Sequence, residues 1–185
     1  MPQGTAALTN APSPVYAPGE IGCAFNEQIG GGSYLRVLLD SGATSASAVG
    51  AVAAGQLAFW KDQSRGIVTN DKNQCDVGPS GAINRVAGIF QLAVSTAAGT
   101  NDATGAPVMY MCDLVIQKRQ MNVAATGTLI AGAAAIADTT ASVSRVISQA
   151  AVTTAPVSQV LGIVLSATAP ASGFASVAVN IGFVD

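Results

Sequence analysis

The 185-residue chain contains no histidine at all. That absence removes the usual general base and the usual zinc ligand, and with them every Ser-His or Cys-His nucleophile pair. Charge is scarce as well. Only 10% of residues are charged, against roughly a quarter in an ordinary soluble domain, and the formal net charge is -2. The one adjacent basic pair is Lys118-Arg119, and counterion-release binding to nucleic acid needs several phosphate contacts, so no nucleic-acid partner is expected.

Long apolar runs are missing too. The longest, residues 129–137, is mostly Ala and Gly and falls far short of the ~20 residues a membrane helix needs. The start, Met1-Pro2-Gln3-Gly4, lacks the basic and apolar segments of a secretion signal. Neither a membrane anchor nor an export address is expected. The cysteines, Cys23, Cys75 and Cys112, are too widely spaced for a CxxC metal site or a complete disulfide framework, so they read as buried thiols. No cofactor or metal is expected.

What the chain has instead is a 50% apolar composition, mainly Ala and Val, with Ser, Thr, Asn and Gln left to cover the surface. So few charges give little repulsion between copies, which points to a surface that meets protein neighbours. Pro2, Pro12, Pro14 and Pro18 punctuate residues 1–20, which disfavours helix and predicts an extended arm. Beyond it, apolar runs of strand length alternate with polar and glycine-rich turns, at residues 34–39, 56–60, 85–94 and 108–117. The final strand is clearest: Ala175, Val177, Val179, Ile181 and Phe183 share one face, opposite Ser176, Asn180 and Gly182. Two Ala-rich stretches, residues 45–54 and 131–137, read as loops or short helical turns.

A weak internal repeat organises these strands. Gly55-Gln56-Leu57 is echoed by Gly127-Thr128-Leu129, and Val86-Ala87-Gly88-Ile89 by Val160-Leu161-Gly162-Ile163. Gly88 and Gly162, inside strands, mark bulges or close approach of another backbone. The expected fold is all-β, a compact β-barrel or β-sandwich with two related β units and an extended N-terminal arm. The segments are the arm at 1–20, one unit at 21–120 and a second at 121–185, or a single joint domain.

Chemistry is sparse. The run Val37-Leu38-Leu39-Asp40-Ser41-Gly42-Ala43-Thr44 resembles the catalytic turn of aspartic proteases. In that reading Asp40 would be catalytic, and a retroviral-type homodimer would supply the second carboxylate of a proton-sharing pair. An Asp-Ser-Gly turn closing a strand explains the same residues. Gly30-Gly31-Gly32-Ser33 has no following Gly-Lys-Ser/Thr, and Gly78-Pro79-Ser80-Gly81 is no nucleophile elbow without histidine, so both read as turns. Asp71, Asp76, Asp102, Asp113 and Asp138 form no calcium-loop spacing and read as solvated. Trp60 reads as a core aromatic, with a glycan or subunit anchor as the alternative.

The segments Ala54-Gly55-Gln56-Leu57-Ala58-Phe59-Trp60 and Asn84-Arg85-Val86-Ala87-Gly88-Ile89-Phe90, followed by Val160-Leu161-Gly162-Ile163-Val164-Leu165-Ser166-Ala167 and a long last strand, resemble the capsid decoration (cement) proteins of tailed phages. The resemblance is diffuse and spans residues 50–185. It implies a non-enzymatic homotrimer on the virion surface that binds the major capsid protein, and transfers no catalytic residue. It further implies that Pro12, Pro14, Tyr16 and Pro18 in the arm contact the capsid or a neighbouring copy. A carbohydrate-binding β-module remains a third reading.

Overall fold

A computed structural model describes residues 21–24, 32–40, 52–94, 109–138, 146–149, 159–166 and 173–181. The proline-rich arm lies outside them. The fold is all-β, and the described residues form ten strands in one continuous hydrogen-bonded sheet. They are β1 (Ile21–Ala24), β2 (Gly32–Asp40), β3 (Leu57–Asp62), β4 (Ile67–Thr69), β5 (Val86–Phe90), β6 (Met109–Ala124), β7 (Ala134–Ala137), β8 (Val146–Gln149), β9 (Gly162–Val164) and β10 (Phe174–Asn180). Helix among the described residues is limited to single turns between Gln63 and Asn84.

The sheet closes on itself. The order β2-β4-β3-β5-β6 returns to β2 through a long antiparallel β2–β6 ladder, giving a closed five-stranded barrel. Alternation along each strand sends Leu35, Val37, Leu39, Trp60, Cys112 and Leu114 into one buried cluster.

The sixteen-residue β6 then carries on past the barrel. Its second half pairs with β10, and the sheet proceeds through β9 and β7 to β8. A parallel bridge between Ala125 and Val146 brings β8 back beside the end of β6. This second ring repeats the first strand for strand. In the barrel, β4 lies parallel to β2 and antiparallel to β3; in the second ring, β8 is parallel to the end of β6 and antiparallel to β7. Likewise β7 pairs β9 as β3 pairs β5, and β9 pairs β10 as β5 pairs β6.

The register of this duplication corrects half of the repeat expected from sequence. Gly88 faces Ala58 across its ladder and Gly162 faces Ala135 across its own, so the Val-x-Gly-Ile segments do correspond. Gly55, however, corresponds to Gly132 and not to Gly127. The Gly55 amide donates to Phe90 O, and the Phe90 amide returns to Gln56 O. Gly132 does the same with Val164 and Ala133. Both glycines sit at positive φ, +84° and +82°, where a Cβ is strained.

Other expectations shift at their boundaries. β5 stops at Phe90, short of residue 94. β6 runs on to Ala124, seven residues beyond the expected end at 117, and is continuous across residues 120 and 121. The Ala-rich stretch at 131–137 is a turn followed by β7 and not a helix. Ala175, Val177 and Val179 of β10, and Ile181 just after it, are all buried, as the alternation requires.

The two rings share more than β6. A second cluster joins the interior of the second ring, including Ala135, Leu161, Val164 and Val177, to the outer face of the barrel at Leu57, Phe59, Val86, Ile89 and Val115. Polar bonds reinforce the seam. Gln159 receives the Val86 amide at 2.9 Å and donates to Val86 O at 3.1 Å, while its own amide donates to Asn84 Oδ1. The Ala124 amide donates to Gly55 O. Buried backbone groups that would otherwise be orphaned are thereby satisfied across the boundary.

Candidate functional site: an uncharged apolar sheet face

The barrel holds most of the described charges, and eight of them form four ion pairs. Asp40, at the end of β2, is buried and receives a short hydrogen bond from Lys61 Nζ, which also donates to Gln74 Oε1 at 3.2 Å. The rest of the turn that resembles a protease loop, Ser41 onward, lies outside the described residues. Asp40 thus faces a lysine, whereas the catalytic pair of a protease needs two carboxyls sharing one proton.

Arg36 and Asp113 face each other on β2 and β6 and form a two-pronged pair at 2.8 and 3.0 Å. Arg85 grips Asp76 in the same way, and its hydrogen bonding holds the Asp76 carboxyl below the usual carboxylate range. Asp71 and Asp138 are buried. The expectation that these carboxylates are solvated therefore fails for Asp71, Asp113 and Asp138; Asp102 lies outside the described residues. Among the described residues no group of three or more metal-ligating side chains comes together.

The remaining sequence candidates are structural. Trp60 lies in the barrel core, and Tyr34 and Tyr110 are buried as well, so no described tyrosine or tryptophan presents a sugar-stacking face. Cys75 and Cys112 are free, buried thiols, and burial pushes the thiol pKa of each upward. Gly32 is part of β2, where a Cβ would meet Gln117 O at 2.5 Å, and Gly78–Gly81 forms one helical turn. Pro12, Pro14, Tyr16 and Pro18 lie outside the described residues. Among the described residues no helix is long and apolar enough to cross a membrane.

The feature that sequence reasoning missed lies on the second ring. Of the eight basic and ten acidic residues, only Asp138, Arg145 and Asp185 come after residue 120. Asp138, the one of these that is described, is 2% exposed. The described exterior contributed by β7, β9 and β10 therefore carries no charge. It carries large apolar side chains instead: Ile130, Val160, Ile163, Leu165 and Phe174 are each 40–53% exposed. Ile163 of β9 and Leu165 just beyond its end are both exposed, and Ile163 is flanked by Ala134 on β7 and Ala178 on β10. Scattered apolar residues on a surface need no explanation, but a contiguous uncharged apolar face marks an interaction site. The signal was available in the sequence as a drop in charge after residue 120.

Comparison with known proteins finds no matching family model, no matching curated protein and no matching solved structure.

Proposed function

We propose that this chain is a structural, non-enzymatic virion protein that attaches to the outside of a tailed-phage capsid, across junctions between major capsid protein subunits, and stabilises the shell. The observation that carries this reading is the uncharged apolar exterior of β7, β9 and β10 on the second ring. Water contact over such a face is unfavourable at about 25 cal/mol per Å² of apolar surface, and a protein neighbour would relieve it. The sequence resemblance to decoration proteins and the all-β barrel architecture agree with the reading, and a homotrimer is the assembly it implies.

The mechanism is thermodynamic linkage. A protein that binds the assembled shell but not its dissociated subunits lowers the free energy of the shell by RT ln(1 + [L]/Kd) per site. Many copies on one lattice then act together through avidity. The pairing of Asp40 with Lys61 and the burial of Trp60 give the protease and glycan readings no comparable support.

Co-sedimentation tests the proposal. The purified chain should pellet with undecorated shells of its phage and stay in solution with the dissociated capsid subunits. If it remains in the supernatant with shells at micromolar concentration, the capsid reading falls.

A further inference from the structure

Beyond β4 the chain turns through Asp71-Lys72-Asn73-Gln74, the spacing of a helix cap in which the first and fourth side chains meet over the opening turn. Asp71 caps the single turn Lys72–Gln74: its Oδ1 accepts from the Asn73 amide at 2.9 Å, and its carbonyl oxygen accepts from the Gln74 amide at 2.9 Å. The reciprocal half of such a cap would send the Gln74 side chain back to the Asp71 amide. Here that amide donates to Thr69 Oγ1 at 3.0 Å instead, and Gln74 Oε1 is taken by Lys61 Nζ at 3.2 Å. Two side-chain atoms are left over, Asp71 Oδ2 and Gln74 Nε2. Both are buried, and neither hydrogen-bonds to the protein. Asp71 as a whole is 7% exposed.

We propose that one buried water molecule bridges Asp71 Oδ2 and Gln74 Nε2. The two side chains stand at the first and fourth positions of one tight turn, where such neighbours lie one above the other. Lys61 fixes which end of the Gln74 amide is which. An ammonium has only hydrogens to offer, so the atom it meets is the amide oxygen, and the atom left over is a true N–H donor. The bridging group must therefore accept from Gln74 and donate to Asp71. A metal ion cannot accept that N–H, and an anion would be set against a carboxyl oxygen. Water does both, and buried waters make roughly two to four hydrogen bonds to polar groups that the fold leaves unsatisfied. The bridge completes a polar chain from Asp40 on β2 through Lys61 on β3 and Gln74 to Asp71 and Thr69 at the end of β4. That chain fastens the turn across three neighbouring barrel strands, beside the buried Cys75. The inference rests on this turn and is independent of the capsid reading.

Crystals of the full chain that diffract well enough to show ordered water test it. One water should lie within hydrogen-bond distance, about 2.7–3.2 Å, of both Asp71 Oδ2 and Gln74 Nε2. In solution, the side-chain N–H protons of Gln74, identified by their loss in Gln74→Leu, should show a nuclear Overhauser effect to water with the sign of a long-lived bound molecule. Triple-resonance assignment of the parent protein serves the same purpose should that variant fail to fold. A map that bonds Asp71 Oδ2 directly to Gln74 Nε2, or that places a metal ion or nothing between them, would overturn the proposal. So would Gln74 protons that meet only rapidly exchanging bulk water.

Discussion

Gly162→Ala should destabilise the protein by about 3 kcal/mol or more, the upper range for forcing atoms into a packed interior. A Cβ at position 162 would lie 2.0 Å from Ala178 O and 2.9 Å from its carbonyl carbon, on the facing strand β10. Backbone cannot rotate aside as a side chain can, so β9 and β10 would have to separate. The φ of +154° adds strain for any residue with a side chain. Gly88→Ala, at the equivalent barrel position, meets Leu114 Cβ at 2.6 Å and Val115 O at 3.1 Å and should cost less, because its closest contact is longer than the 2.0 Å at Gly162 and its φ is not positive. Because one buried cluster spans both rings, the Gly162 variant should lose stability in a single transition and not melt the second ring alone. Urea unfolding followed by Trp60 fluorescence, which reports on the barrel core, measures this: a midpoint unchanged from the parent would contradict it.

Lys61→Met should cost roughly 3 kcal/mol, the low end for stripping a buried charge of its partner. Asp40 is the buried member, with 3% of its side chain exposed, whereas Lys61 reaches solvent with 31%. Removing the ammonium takes a charge partner away from a buried carboxylate, which is costly in a low-dielectric interior. The double variant Lys61→Met with Asp40→Asn should recover most of the loss, since it removes the charge as well as its partner. Thermal denaturation of the three variants at neutral pH decides the matter. Full stability of Lys61→Met alone would mean that Asp40 is held by something other than this pair.

How much of this was legible beforehand depended on which force chose each residue. The alternation in β10 was readable because one face is buried and the period of a strand is two. Gly88 and Gly162 were readable as a repeat because close packing against β6 and β10 leaves room only for hydrogen at those points. Gly127 misled because a glycine before Leu129 resembles one before Leu57, while the hydrogen bonds that define the turn belong to Gly132.

The far end of β6 was hidden behind Gln117-Lys118-Arg119-Gln120, a polar and charged stretch that interrupts the apolar run. It is the crossing between rings, where the strand changes partners: its register slips by a residue against β2 beside Gln117 and against β10 between Met121 and Lys118. The Ala-rich run at 131–137, which holds β7, carried a helical propensity that tertiary packing overrode, because Ala135 and Ala137 fill the interior of the second ring. The apolar face itself had no local signature. Val160, Ile163 and Leu165 look like core residues in sequence, and only the fold turns them outward.

The central claim is that this protein binds assembled shells and so resists their opening, and heat-driven opening of undecorated shells tests it most directly. Titrating in the purified chain should raise the temperature at which the shells open, increasing with free concentration as linkage requires. An opening temperature that stays constant at saturating protein would contradict the account.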